Sequence, residues 1–195
     1  MRKIFVVLVV FCCFSISGCA GLMVAGAATG AVASQDRRTL PTQLEDENIE
    51  IKATTLLFEN DEISESTNID VVSYNTNVLL VGQAPTSSLK SKAQAQVEEI
   101  EKVNKVYNQI RIAAPISFFA KRNDEYLTSK IKSAMLFSKD FPSTKIKVVT
   151  ENNEVFLLGL VSQEEAEKAA EIARNVDGVS RVIKVFEIIE IEDGG

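Results

Sequence analysis

The chain has 195 residues, enough for one medium domain or two small ones, and its 46% hydrophobic and 25% charged residues describe a chain that folds. A net charge of −6 excludes a surface that is basic throughout, so no nucleic-acid partner is expected. The absence of histidine removes the commonest general base at neutral pH and the commonest metal ligand. The cysteines, Cys12, Cys13 and Cys19, all lie near the N-terminus, which leaves the body without a disulfide framework or a cysteine-based zinc site.

Arg2 and Lys3 precede an apolar run, residues 4–14, of signal-peptide length. That run alone is shorter than the roughly 20 residues a bilayer-spanning helix needs. It leads into Ile16-Ser17-Gly18-Cys19, which resembles the bacterial lipobox. The resemblance implies cleavage before Cys19, acylation of its thiol and stable anchoring by several chains. Residues 1–18 are then a signal peptide and 19–44 an acylated cysteine with its tether. Ala20 follows the cysteine where an aspartate favours inner-membrane retention. The resemblance therefore implies the outer membrane, with the body facing the periplasm. An uncleaved membrane helix over residues 4–33 is the alternative, disfavoured by the Gly- and Ala-rich second half of that stretch.

The remainder reads as two copies of one pattern. A helix over 45–60 precedes an alternating strand, 68–74, a polar turn and a second strand, 78–84; the two strands form a hairpin. A helix over 88–103 and a strand over 105–112 complete the first copy. After "AAPISFFA", 113–120, the second copy runs as helix 122–139, strands 145–151 and 155–161, helix 163–176 and strand 181–189. Ala93, Val97 and Ile100 of the first copy correspond to Ala169, Ala173 and Val176 of the second, at helical spacing. Asp124 is a candidate N-cap for the second copy's first helix. Gly82 and Gly159 read as glycines required by backbone fit at a strand end or bulge.

The order α-β-β-α-β, with "VLLVGQ", "VYNQIR", "ENNEVFLLGLV" and "NVDGVSRV", resembles the BON domain, twice over. With the lipobox, the whole chain is similar to two-BON outer-membrane lipoproteins of Gram-negative bacteria. The resemblance implies an α+β fold of two tandem BON domains, 45–113 and 124–191, joined by a linker, 114–123. Each is a small mixed sheet covered by two helices. The first copy carries Lys102 where the second has Gly178 between helix and last strand. Units of about 70 residues are marginally stable alone, so the two are expected to pack together, through "PISFFA".

No catalytic constellation is visible, and no enzyme activity, cofactor or metal is expected. The folded region lacks an activated nucleophile beside a base. Glu98, Glu99 and Glu101, and Glu164, Glu165 and Glu167, read as solvated helix faces. Neither glycine-ended strand opens a phosphate-binding loop.

The two copies differ in charge. Residues 45–70 hold nine acids against Lys52, whereas residues 121–147 hold seven bases against three acids. An acidic protein with one basic helix presents a localised anion-attracting surface. On that helix Leu127, Ile131, Ala134 and Met135 form a core stripe, and Tyr126, Lys130, Ser133 and Phe137 a neighbouring one. The first copy has Asn48, Lys52, Thr55 and Glu59 at the latter positions. Aromatics beside lysines suit the headgroup region of an anionic membrane; packing of Tyr126 and Phe137 against the first domain or the linker is the alternative. The BON resemblance implies anionic phospholipid binding by the second domain, with Tyr126 at the interfacial aromatic position. The expected lipid-binding set is Tyr126, Leu127, Lys130, Ser133 and Phe137, and the expected lipidation site is Cys19. The expected role is envelope integrity, at division sites among others. The rival reading is a protein-interaction module that docks an outer-membrane assembly or division partner.

Overall fold

A computed structural model of the protein describes residues 36–139 and 141–190. Cys19, the signal segment and the tether up to residue 35 lie outside the described residues. The described residues from Arg37 onward form one compact unit. It holds three clusters of buried apolar side chains, a core sufficient for this unit to fold by itself.

The first half runs α1 (Leu40–Glu59), a single-turn α2 (Asp61–Ser64), β1 (Asn68–Tyr74), β2 (Asn77–Ala84), α3 (Ser87–Glu98), β3 (Lys105–Asn108) and β4 (Arg111–Ile112). The second runs α4 (Phe118–Phe137), a 3-10 turn (Ser143–Lys145), β5 (Lys147–Glu151), β6 (Glu154–Leu158), β7 (Leu160–Val161), α5 (Gln163–Arg174), β8 (Arg181–Lys184) and β9 (Glu187–Ile188). The α+β order expected from the repeat is present in both. β1 and β2 pair antiparallel from Asn68 opposite Gln83 to Tyr74 opposite Asn77. β3 and then β4 run parallel along the other edge of β2. β5, β6 and β8 repeat this arrangement, and β7 pairs with β9 beyond Gly159.

Both first helices start earlier than the apolar spacing indicates. The Thr39 hydroxyl accepts from the Thr42 amide, and Pro41 occupies the first turn of α1, where its missing N–H costs nothing. The Ser117 hydroxyl likewise accepts from the Ala120 amide and starts α4 at Phe118. Residues 118–123, expected as linker, are therefore helix, and the connection shortens to 113–117.

Alternation along the central strands sets the layers. Val78 and Leu80 of β2 face α1 and α3, joining Ile49, Ala53, Leu57, Leu89, Ala93 and Val97 in one core. Val155 and Leu157 of β6 do the same against α4 and α5. The intervening residues, Leu79 and Val81 of β2 with Phe156 and Leu158 of β6, meet each other and close a third core between the sheets with Tyr74 and Val185. The result is helices, sheet, sheet, helices. The halves pack as expected of such small units, but through their sheets. Phe118 and Phe119 of "PISFFA" are exposed, because Ser117 diverts the chain into a helix before the aromatics reach the interface.

Polar contacts trim this interface. The Gln83 amide donates to Glu151, and its oxygen accepts from the Ile116 amide at 3.1 Å. Lys147 reaches Glu50 at 2.8 Å. Arg37 donates to the Leu160 carbonyl and forks onto Glu165, while Arg38 bonds Asp46 and lies 3.9 Å from the centre of the Tyr74 ring. The two arginines ahead of α1 thus fasten to opposite halves. Glu165 is not on a solvated face: it accepts from the Ser162 amide in a capping box, and Arg37 holds its carboxyl below the usual carboxylate range.

Asp124 is not an N-cap. It lies two turns into α4, buried, and accepts from the amides of Asn152 and Asn153 at 2.7 and 2.8 Å. These residues have φ of 49° and 61°, the left-handed pair of a two-residue hairpin turn. Asp46 is its counterpart in α1. It accepts from the amides of Asn75 and Thr76, from the Ser73 hydroxyl and from Arg38. Each first helix therefore ties down the tip of its own hairpin.

Gly82 lies inside β2, not at its end. Its φ is +113°, and a Cβ there would sit 2.0 Å from the Asn68 carbonyl oxygen. Lys102 and Gly178 both take positive φ, +70° and +102°, so the turn before the last parallel strand is bent similarly in both halves.

Candidate functional site

α4 has 20 residues and two opposed faces. Leu127, Ile131 and Met135 recur at i, i+4 and i+8 and point into the core with Asp124. At about 100° per residue, Phe118, Phe119, Arg122, Tyr126, Ser133, Leu136 and Phe137 fall within about 100° of arc on the opposite side. All seven are exposed, with Tyr126 at 62%, Phe119 at 83% and Phe137 at 85%. Such an array of large apolar groups on the outside of a well-formed core is a candidate interaction surface.

Of the five residues expected to meet lipid, the structure brings four together. Tyr126, Lys130, Ser133 and Phe137 lie along the outer side of α4, with Lys130 half-buried. Leu127 does not join them. At 2% exposure it belongs to the core stripe, since its position is diametrically opposed to Phe118 and Leu136. Tyr126 and Phe137 do not pack against the first half or the linker; both project outward.

Three exposed residues escaped the spacing argument: Phe118, Phe119 and Leu136. The signal was present, because Phe119, Tyr126, Ser133 and Phe137 continue one helical row across the boundary placed at residue 124. Phe118 and Phe119 stand edge to face with ring centres 6.0 Å apart.

Cations flank the aromatics. The Arg122 guanidinium is 6.0 Å from the Phe118 ring centre and pairs with Glu125 at 2.9 Å. The Lys130 ammonium lies 5.6 Å from the Tyr126 ring centre and donates to the Asp177 carbonyl at 3.1 Å. Lys132 is exposed on the far edge of the stripe. The Asp177 carbonyl holds the Lys130 ammonium in place and leaves its positive charge at the level of the rings. Chemically, the face offers apolar area together with anion attraction. Among the described residues, no group of three or more His, Cys, Asp or Glu side chains is placed to hold a metal ion. No helix among them is long and apolar enough to cross a membrane.

A groove of about 430 Å³ lies behind α4, lined by Asp70, Lys121, Asp124, Thr128 and Glu151. Burial pushes the Glu151 carboxyl up, against the opposing pull of Gln83, and the neighbouring carboxylates of Asp124 and Asp70 push it further. These groups serve the hairpin turn and the contact between sheets.

The BON domain model matches residues 45–114 and 123–190, which are the two halves just described. The chain belongs to the BON-domain family. Its first BON domain carries α1 and its second carries α4. The chain is 39% identical over 175 residues to the outer membrane lipoprotein DolP of Haemophilus influenzae, covering 90% of this chain and 91% of that protein. It is 41% identical over 155 residues to the 21 kDa hemolysin of Actinobacillus pleuropneumoniae, covering 80% of each. It is 31% identical over 142 residues to the osmotically-inducible protein Y of Escherichia coli, covering 71% and 70%.

Proposed function

We propose that this protein is an outer-membrane lipoprotein, anchored through Cys19, whose second BON domain binds anionic phospholipid with the outer face of α4. On this reading it faces the periplasm, acts without catalysis and supports envelope integrity, including at division sites. The observation that carries the reading is the run of five exposed large apolar side chains on the one basic first helix, turned directly away from the core. The likeness to an outer membrane lipoprotein over nine-tenths of the chain supports the location.

The magnitudes suit an interfacial helix. Full burial of a large apolar side chain contributes roughly 1.5–3 kcal/mol, and shallow insertion realises about half of that. Each base near an anionic surface adds on the order of 1 kcal/mol. Five apolar groups with Arg122, Lys130 and Lys132 then reach on the order of 8 kcal/mol, a micromolar interaction. Sensitivity to salt follows from the share carried by charge.

The test is co-sedimentation of residues 36–195, without the acyl anchor, with phosphatidylglycerol-containing or purely zwitterionic vesicles. Binding is expected to the anionic vesicles alone, to weaken with salt, and to be lost in Tyr126→Ser/Phe137→Ser and in Phe118→Ser/Phe119→Ser, with unchanged circular dichroism. No binding, or binding indifferent to both variants, would overturn the lipid reading and leave this face to a protein partner.

A further inference from the structure

The first helix of the first BON domain also carries an outward apolar stripe, of opposite charge. Leu40, Leu44, Ile51 and Phe58 are all exposed and fall within about 40° of arc at helical spacing. They oppose the buried Ile49, Ala53 and Leu57. Glu47 and Glu59 flank them, both exposed. Beside the stripe, Ile51, Lys52, Thr55 and Leu56 line a groove of about 530 Å³ against Gln96 of α3 and Ile100 just beyond it. The Gln96 side-chain oxygen is buried there without a hydrogen-bond partner. Nothing in the first BON domain uses this face, and it looks outward from the layer opposite α4.

Among the described residues one helix has the complementary character. α4 presents Phe118, Phe119, Tyr126, Leu136 and Phe137 and carries Lys121, Arg122, Lys130 and Lys132 against Asp124 and Glu125, whereas α1 carries Glu45, Asp46, Glu47, Glu50 and Glu59 against Lys52. Apolar stripe would meet apolar stripe, and an acidic helix would meet a basic one. We propose that α1 of one copy docks α4 of a second copy, so that the protein self-associates head to tail.

The layer order decides the form of the assembly. The two faces lie on opposite sides of the molecule, so the contact is heterologous, and each pair keeps one free α1 and one free α4, on different copies. Such a contact propagates as an open chain and not as a closed dimer. A 20-residue helix is about 30 Å long and 10 Å across, so one contact buries on the order of 600 Å² in total. That is the range of weak contacts, which confinement on a surface strengthens. The proposal uses the α4 face named above but does not depend on its binding lipid. The two uses of that face exclude one another, so anionic vesicles would compete with the contact.

The test is analytical ultracentrifugation of residues 36–195 without lipid, from about 10 μM to about 1 mM. The expected result is a weight-average mass that climbs past the dimer and falls in high salt. Ile51→Ser/Phe58→Ser should remain monomeric while still binding anionic vesicles as the wild type does, which separates this contact from the lipid reading. Lys130→Glu/Lys132→Glu should also be monomeric, and adding Glu47→Lys/Glu59→Lys to it should restore association. A monomer throughout, a mass that stops at the dimer, or association that survives the α1 substitutions would overturn the proposal.

Discussion

Replacing Asp124 by alanine separates a hairpin tip from the helix that holds it. The carboxylate is buried and accepts from two amides at 2.7 and 2.8 Å. Hydrogen bonds to a charged group contribute about 1.5–3 kcal/mol each. Alanine returns up to about 0.7 kcal/mol of helix propensity. The Asn152 and Asn153 amides lie in a partly exposed turn and recover some hydration, so the expected net cost is about 2–4 kcal/mol. Asp46→Ala removes the equivalent two turn contacts and also the bonds that Asp46 accepts from the Ser73 hydroxyl at 2.6 Å and from the Arg38 guanidinium at 2.7 Å. Breaking a buried pair on one side costs about 3–5 kcal/mol, so Asp46→Ala should be the more severe. Urea unfolding followed by circular dichroism measures both, and amide exchange at Asn152 and Asn153 should accelerate in Asp124→Ala. Asp124→Asn keeps one acceptor oxygen and should recover about half the loss. A cost below about 0.5 kcal/mol for Asp124→Ala, within the range of an ordinary surface change, would refute the reasoning. So would a larger cost at Asp124 than at Asp46.

Gly82→Ala combines strain of about 1–3 kcal/mol at its positive φ with a Cβ 2.0 Å from the Asn68 carbonyl oxygen. It should lower the melting temperature far more than Gly178→Ala, whose Cβ meets only the movable Leu127 methyl at 2.9 Å; equal effects would count against the close-approach argument. The Glu165 carboxyl is held below its ordinary range chiefly by Arg37. Its contribution is therefore present above the unfolded value near 4.3 and lost as pH falls through the lower folded value. Glu165→Gln should be less stable than wild type at pH 7 and should converge on it in acid, as read from thermal melts between the two conditions.

The element order and the repeat were legible in the residues because their signals are local. Alternation in "NIDVVSY" and "KIKVVTE" and the 3.6-residue rhythm of Ile49, Ala53 and Leu57 each depend on a few neighbours. The charge contrast between α1 and α4 was equally plain, since composition needs no coordinates. The partners across long sequence gaps were not. The small size of each unit points to packing through Phe118 and Phe119, but the Ser117 cap turns them outward. Residue type alone allows Leu127 a place on a lipid face; the rotation of α4 against the sheet buries it. Asp124 looked like a cap because its true partners lie 28 and 29 residues away, at a turn that only the packed hairpin brings beneath it. The sequence by itself thus determined two amphipathic α-β-β-α-β units, one acidic and one basic at its first helix. The tertiary structure decided that the sheets meet, because Leu79, Val81, Phe156 and Leu158 find burial only against each other. That packing is what leaves the outer faces of α1 and α4 exposed on opposite sides of the molecule.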